Sequence, residues 1–373
     1  MTAAHSVCPA SFAPVRTEFD KNFAERGDTA AAFAVYLDGE LIIDLAGGAW
    51  QRDSLVNVFS TTKGMTALCA HILIDRGNIA LDAPVATYWP EFAQGGKDEV
   101  TVRHLLSHRA GLNAFARPIA REDVYAWHPA CTALAEAAPW WTPGSRSSYH
   151  SLTFGFLVGE VIRRVSGSTV GRFFRDEIAE PLGEVDFFIG VPDALHARIL
   201  DVTGGDSSLP VPDGADASVV AMVANQPSIG PQTINSPAWR RAELPAGNGH
   251  GDARSLARVY QALAMGGTLD GARLVSPSAI ELMREPQPEG VDGYIGLMAG
   301  GATMSWRLGF MPNLGQYGPA AESFGHTGFG GSFAMCHPER RLSMAYVTSH
   351  LVTGELDLRG AMLAHAFYNA LDH

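Results

Sequence analysis

Asn57-Val58-Phe59-Ser60-Thr61-Thr62-Lys63-Gly64-Met65-Thr66-Ala67-Leu68-Cys69-Ala70-His71-Ile72-Leu73 is the stretch in which a short extended run becomes an apolar helix. Asn57, Val58 and Phe59 read as extended chain. Over residues 61–76, Met65, Leu68, Cys69, Ile72 and Leu73 recur at helical spacing until Gly77 supplies the stop. Few polar residues interrupt the run, so this helix is expected to be buried. It begins at about Ser60. The serine hydroxyl then sits at a helix N-terminus, where free backbone N–H groups and the positive end of the dipole favour negative charge.

Residues three apart on a helix share a face, with Cβ atoms about 5–6 Å apart, so the Lys63 amine reaches the Ser60 hydroxyl. Lysine occurs only as Lys21, Lys63 and Lys97. An exposed lysine is protonated at pH 7, but desolvation lowers its pKa, and a neutral Lys63 accepts the Ser60 proton. Taken alone, the pair reads equally well as a helix-capping serine and a solvated lysine.

Two further segments carry chemistry. Trp141-Thr142-Pro143-Gly144-Ser145-Arg146-Ser147-Ser148-Tyr149-His150-Ser151 is rich in turn residues and delivers a tyrosine just before a helix. Gly325-His326-Thr327-Gly328-Phe329-Gly330-Gly331-Ser332 leads into a strand, and its glycines let a substrate lie along backbone N–H groups. The plain alternatives are a core tyrosine and a strand-end loop. In this order and over nearly the whole chain, the three segments resemble the penicillin-recognising serine hydrolases. These are the class C β-lactamases, the D-alanyl-D-alanine peptidases and, above all, the family VIII carboxylesterases. Leu81-Asp82-Ala83-Pro84-Val85, Val102-Arg103-His104-Leu105-Leu106-Ser107-His108 and Gly247-Asn248-Gly249-His250-Gly251 look similar to that family as well.

The resemblance implies that Ser60 is the nucleophile, Lys63 its base and Tyr149 the partner that passes a proton to the leaving group. It also implies an oxyanion hole made by the Ser60 and Phe329 backbone N–H groups, with His326, Gly328 and Ser151 at the substrate. Two departures matter. The tyrosine motif ends in Ser151 where β-lactamases have asparagine, so the amide that pairs with an acylamide is missing. His326 stands where most of them have lysine, and histidine is mostly neutral at pH 7. Both point to a serine esterase acting on short-chain carboxylic esters through an acyl-enzyme on Ser60. The alternatives are β-lactamase or D-amino-acid peptidase or amidase activity at the same site, and a catalytically silent binding module. Trp127, Trp140, Trp141 and Trp306 are candidates for an apolar pocket wall, each with core packing as the plain alternative.

Outward from the motifs, Asp38-Gly39-Glu40 separates two apolar runs, 33–37 and 41–45, as in a tight hairpin. Residues 101–108, 151–166 and 170–179 read as helices, and 204–245, rich in Gly, Pro, Asp and Ser, as a long loop region. A helix over 253–264 precedes strand-like segments at 306–310, 331–336 and 342–349 and a last helix over 357–371. The expected fold class is α/β (α+β), β-lactamase/transpeptidase-like: an antiparallel sheet flanked by helices, an inserted all-helical domain and the site at their interface. Residues 1–82 and 249–373 would form the discontinuous α/β domain, and 83–248 the inserted one.

At 373 residues, 46% apolar and 18% charged, the chain has the composition of a folded enzyme. Its net charge of −12 and scattered cations argue against nucleic acid. Cys8, Cys69, Cys131 and Cys336 form no Cys-x-x-Cys pair, as expected of free thiols in the cytoplasm. Residues 1–14 lack a leader pattern, and no run of about 18 apolar residues occurs, so neither signal peptide nor membrane contact is expected. No Gly-x-Ser-x-Gly elbow, His-Glu-x-x-His helix or phosphate loop stands in its required context, so no cofactor is expected. His104 and His108, spaced i, i+4 without a carboxylate partner, read as packing and not as a metal site. The implied partner is a small-molecule ester, and a homo-oligomer is left open.

Overall fold

A computed structural model describes residues 6–205, 209–352 and 357–372. The first five residues of the leader reading and residues 206–208 of the loop reading lie outside it. β1 (Ala30–Leu37) turns back through Asp38 and Gly39 into β2 (Glu40–Gly48). Those two residues have φ of 52° and 92°, the left-handed pair that a right-twisting hairpin requires and that Asp-Gly adopts readily. β3 (Met311–Pro312), β4 (Phe324–Thr327), β5 (Phe333–His337) and β6 (Leu342–Thr348) complete an antiparallel sheet in the order β3-β4-β5-β6-β1-β2.

Among the described residues, the helices of twelve or more residues are α1 (Ala13–Ala24), α2 (Thr62–Asp75), α3 (Thr153–Ser166), α4 (Ala253–Ala264) and α5 (Arg359–Leu371). Strand alternation divides β1 between two cores. Ala31, Phe33 and Val35 join Phe333, Met344 and Tyr346 beneath α1 and α5, whose Phe19, Leu363 and Phe367 fill the same cluster. Ala32, Ala34 and Tyr36 face the other way, towards α4. In register, Ala334, Ala345 and Ala34 lie abreast on three neighbouring strands. A row of methyl groups lets α4 lie close, near enough for the Ser343 hydroxyl to donate to Ala257 O at 2.8 Å. Every described strand of this sheet comes from 30–48 or 311–348; residues 83–248 contribute none.

α2 is buried all round from Thr62 to Leu73 and packs on α3. A three-strand patch of Val56–Asn57, Gly249–Gly251 and Phe187–Ile189 holds the chain just before α2. The mixed fold with an antiparallel sheet therefore matches the expectation. Three local readings are corrected. Residues 306–310 are not a strand, because Gly309 (φ 87°) bends the chain there and donates its N–H to Leu106 O; pairing starts only at Met311. Residues 204–245 are not one long loop: they contain helices Ala217–Asn225, Pro231–Ile234 and Pro237–Arg241, the first and last N-capped by Asp216 and Ser236. The helix expected over 101–108 ends at Leu106, and His108 has φ 58°, so His104 and His108 do not share a helix face. No described helix is long and apolar enough to cross a membrane.

Candidate active site

The chain enters α2 through a strained step. Phe59 has φ 48°, unusual for an aromatic residue and worth about 1–3 kcal/mol of strain, and Phe59–Thr61 forms one 3-10 turn before the α-helix takes over at Thr62. This turn presents Ser60 at the mouth of a cavity while Thr61 and Thr62 stay buried. Lys63, one turn on, donates from Nζ to Ser60 Oγ at 3.1 Å and to Ala246 O at 2.8 Å. Its side chain is buried against the Tyr149 ring, with Nζ 4.8 Å from the centroid. Burial holds the Lys63 ammonium well below the ordinary lysine range. The Tyr149 hydroxyl donates to Ser60 Oγ at 2.7 Å. Burial pushes this phenol well above its ordinary value, so it stays protonated at neutral pH. A hydroxyl, an amine biased to be neutral and a phenol biased to hold its proton thus meet at one oxygen.

Opposite lies the turn Gly328-Phe329-Gly330-Gly331. A Cβ on Gly328 would come within 2.2 Å of Val58 O, so only glycine lets the turn approach the Ser60 segment this closely. The contact is latched by Ser332 Oγ, which donates to Val58 O at 2.9 Å, and the Phe59 and Phe329 rings meet edge to face. Among the described residues, neither the Ser60 nor the Phe329 N–H has a backbone acceptor.

The cavity at Ser60 has a volume of about 320 Å³. Its wall includes Ser151, Phe59, Phe329, Leu152, Ile229 and Trp239, and among the described residues no charged side chain lines it. Trp239 is anchored by its indole N–H on Asn57 Oδ1 at 2.8 Å. His326 is not on the wall. It lies behind Tyr149, ring centroids 6.3 Å apart and 1% exposed, and burial pushes it down to about 3. Nδ1 of His326 is 2.7 Å from Thr327 O, and Nε2 has no partner among the described residues. Of the four tryptophans read from sequence, Trp306 stacks on Tyr149 at 5.9 Å and 11°, and Trp127 donates to Glu160. Trp141 donates to Arg146 O and Trp140 to Ala114 O. None of the four lines the cavity, Trp140 being exposed, and the wall takes Trp239 instead. No group of three potential metal ligands occurs among the described residues.

Sequence reasoning missed Asp292, Ala246 and Trp239. Asp292 is fully buried and accepts N–H groups from Tyr149 and Trp306. Ala246 acts only through its carbonyl, which no residue type signals. Trp239 had a cue in Ser236-Pro237, an N-cap followed by proline that places the tryptophan on a helix.

The family described as Beta-lactamase matches residues 19–368. The chain is 34% identical to Esterase/beta-lactamase LipL of Mycobacterium tuberculosis (strain ATCC 25618 / H37Rv), over 92% of this chain and 82% of that protein. Its fold superposes on a crystal structure of a family VIII carboxylesterase with a TM-score of 0.91 at 36% identity, covering 99% and 100% of the two chains. A penicillin-binding protein homolog from Caulobacter crescentus gives the same TM-score and coverage at 40% identity.

Proposed function

The chain belongs to the beta-lactamase family of serine hydrolases, and from that premise we propose that it hydrolyses short-chain carboxylic esters through an acyl-enzyme on Ser60. Neutral Lys63 takes the Ser60 proton as Oγ attacks the ester carbonyl, and the Ser60 and Phe329 N–H groups receive the oxyanion. Collapse breaks the bond to the alkoxide, which takes the Tyr149 proton, and the Lys63 ammonium then restores the phenol. In the second half, water loses a proton to Lys63 and attacks the acyl carbon, and Ser60 Oγ leaves with a proton. Gly328 lets the oxyanion turn reach Ser60, Ser151 borders the acyl group, and His326 backs Tyr149 as a neutral ring.

The observation that carries the ester reading is a cavity wall to which the described residues contribute no charged side chain. With His326 buried and held neutral beside Tyr149, the described residues on the wall offer no cation to the carboxylate that penicillins, cephalosporins and D-peptides carry. A silent binding module has no use for a lysine held neutral beside a serine. Cytoplasmic residence belongs to the same reading, supported by four unpaired cysteines, and so does the division into 1–82 with 249–373 and an inserted 83–248.

Side-by-side kinetics test the substrate class. On short-chain aryl and alkyl esters kcat/KM should exceed that on a cephalosporin by at least about 10²-fold, the equivalent of about 2.7 kcal/mol of transition-state binding. Equal values would transfer the assignment to β-lactam hydrolysis.

A further inference from the structure

Asp292 is a fully buried carboxylate, and all four partners of its oxygens are N–H groups of uncharged residues. Oδ1 accepts from the backbone of Tyr149 at 3.1 Å, Tyr294 at 2.9 Å and Ile295 at 2.9 Å. Oδ2 accepts from the Trp306 indole at 2.9 Å. A buried carboxyl group has given up its water, and here four N–H donors take the place of that water. Its neighbour Gly293 presses the same segment onto the tyrosine loop: the Gly293 N–H donates to Ser147 O at 3.1 Å, and a Cβ there would meet Ser148 Oγ at 2.8 Å. Trp306, fixed by Oδ2, lies nearly parallel to the Tyr149 ring, and Tyr294, fixed by Oδ1, stacks on it at 6.2 Å and 22°. The backbone of Tyr149 and two of the rings that bracket its phenol therefore hang on one side chain.

We infer that Asp292 is the positioning residue of Tyr149, the group that aims the phenol at Ser60 for proton delivery. The inference rests on the esterase reading above. Asp292→Asn keeps the shape but, with Oδ1 tied to three backbone N–H groups, turns an amide donor towards the Trp306 donor. The phenol then loses its support while Ser60, in the 3-10 turn Phe59–Thr61, and Lys63, on α2, keep theirs.

The test is a double-mutant cycle of Asp292→Asn and Tyr149→Phe, read as acylation rates on an alkyl ester and a nitrophenyl ester. Asp292→Asn should slow acylation by the alkyl ester about 10²-fold with KM changed less than about twofold, and slow the nitrophenyl ester less, because nitrophenoxide leaves without a proton. In the Tyr149→Phe background the same change should cost under about threefold. Equal losses with and without the phenol, or no loss in Asp292→Asn, would overturn the inference and leave the esterase reading standing. If the unaltered protein turned over no ester, that reading would fall and the inference with it. Should Asp292→Asn fail to fold, Trp306→Phe removes the indole bond to Oδ2 together with part of the ring that stacks on Tyr149, and it is read the same way: a loss that vanishes in Tyr149→Phe supports the assignment, and one that persists rejects it.

Discussion

Lys63→Arg and Lys63→Met are both expected to fold and to lose about 10²–10⁴-fold or more in kcat, the range by which a positioned base accelerates such a step. Lys63 is 1% exposed, and among the described residues its amine has only Ser60 Oγ and Ala246 O as hydrogen-bond partners. Among the described residues no carboxylate pairs with it, and burial holds its pKa well below the ordinary lysine range, the direction that a base for the serine proton needs. Arginine keeps the cation but cannot deprotonate in a protein, and methionine fills the space without a base. The two replacements separate charge from basicity. Pre-steady-state burst kinetics on a nitrophenyl ester, with a thermal melt of each variant, check the prediction. An arginine variant within tenfold of the unaltered enzyme would exclude Lys63 as the base.

Mild acid should unfold the protein. His71, His108, His150, His250 and His326 are all buried, and burial pushes His71 down to about 4, His150, His250 and His326 down to about 3, and His108 well below its ordinary value. The hydrogen bonds explain two of them directly. His150 Nε2 accepts the Leu112 N–H at 3.1 Å and His108 Nδ1 accepts the His150 N–H at 3.1 Å, so a proton on either atom would break a bond. The unfolded chain takes up protons at these rings below pH about 6.5 and the folded chain does not, so stability is lost as pH falls through that value. Near pH 5.5 each of His71, His150, His250 and His326 costs about 1.4 kcal/mol and the four together about 6 kcal/mol, with His108 acting in the same direction, which is comparable to the whole stability of an ordinary domain. Asp28, Glu243 and Asp252, raised by burial, oppose this as they take up protons, whereas His104 and His337 add to it. Denaturant unfolding at a series of pH values should show a free energy that drops steeply from about pH 7 to 5.5. A flat profile across that interval would mean that these rings exchange protons with solvent while folded.

What could be read in advance was what lies close in sequence. Asp38-Gly39 between apolar runs announces its hairpin, and the spacing of Ser60 and Lys63 sets their contact, because one helical turn determines both. The glycines of 328–331 signal a close approach without saying to what; the answer, Val58, is far away in the chain. Asp292 was invisible for the same reason: its bond to Tyr149 spans 143 positions, and nothing local marks a lone aspartate as fully buried. The contact of His326 with Tyr149 likewise joins residues far apart in the chain. In 204–245, glycine and proline content outweighed the N-cap signals of Asp216 and Ser236, so three short helices read as loop.

The central claim is that Ser60 carries the acyl group, and mass spectrometry of the protein quenched during ester turnover, followed by peptide mapping, tests it most directly. One acyl group per chain is expected, on the peptide containing Ser60, with none in Ser60→Ala, and a fluorophosphonate should label the same residue. An adduct on any other side chain, or undiminished ester turnover by Ser60→Ala, would contradict the account.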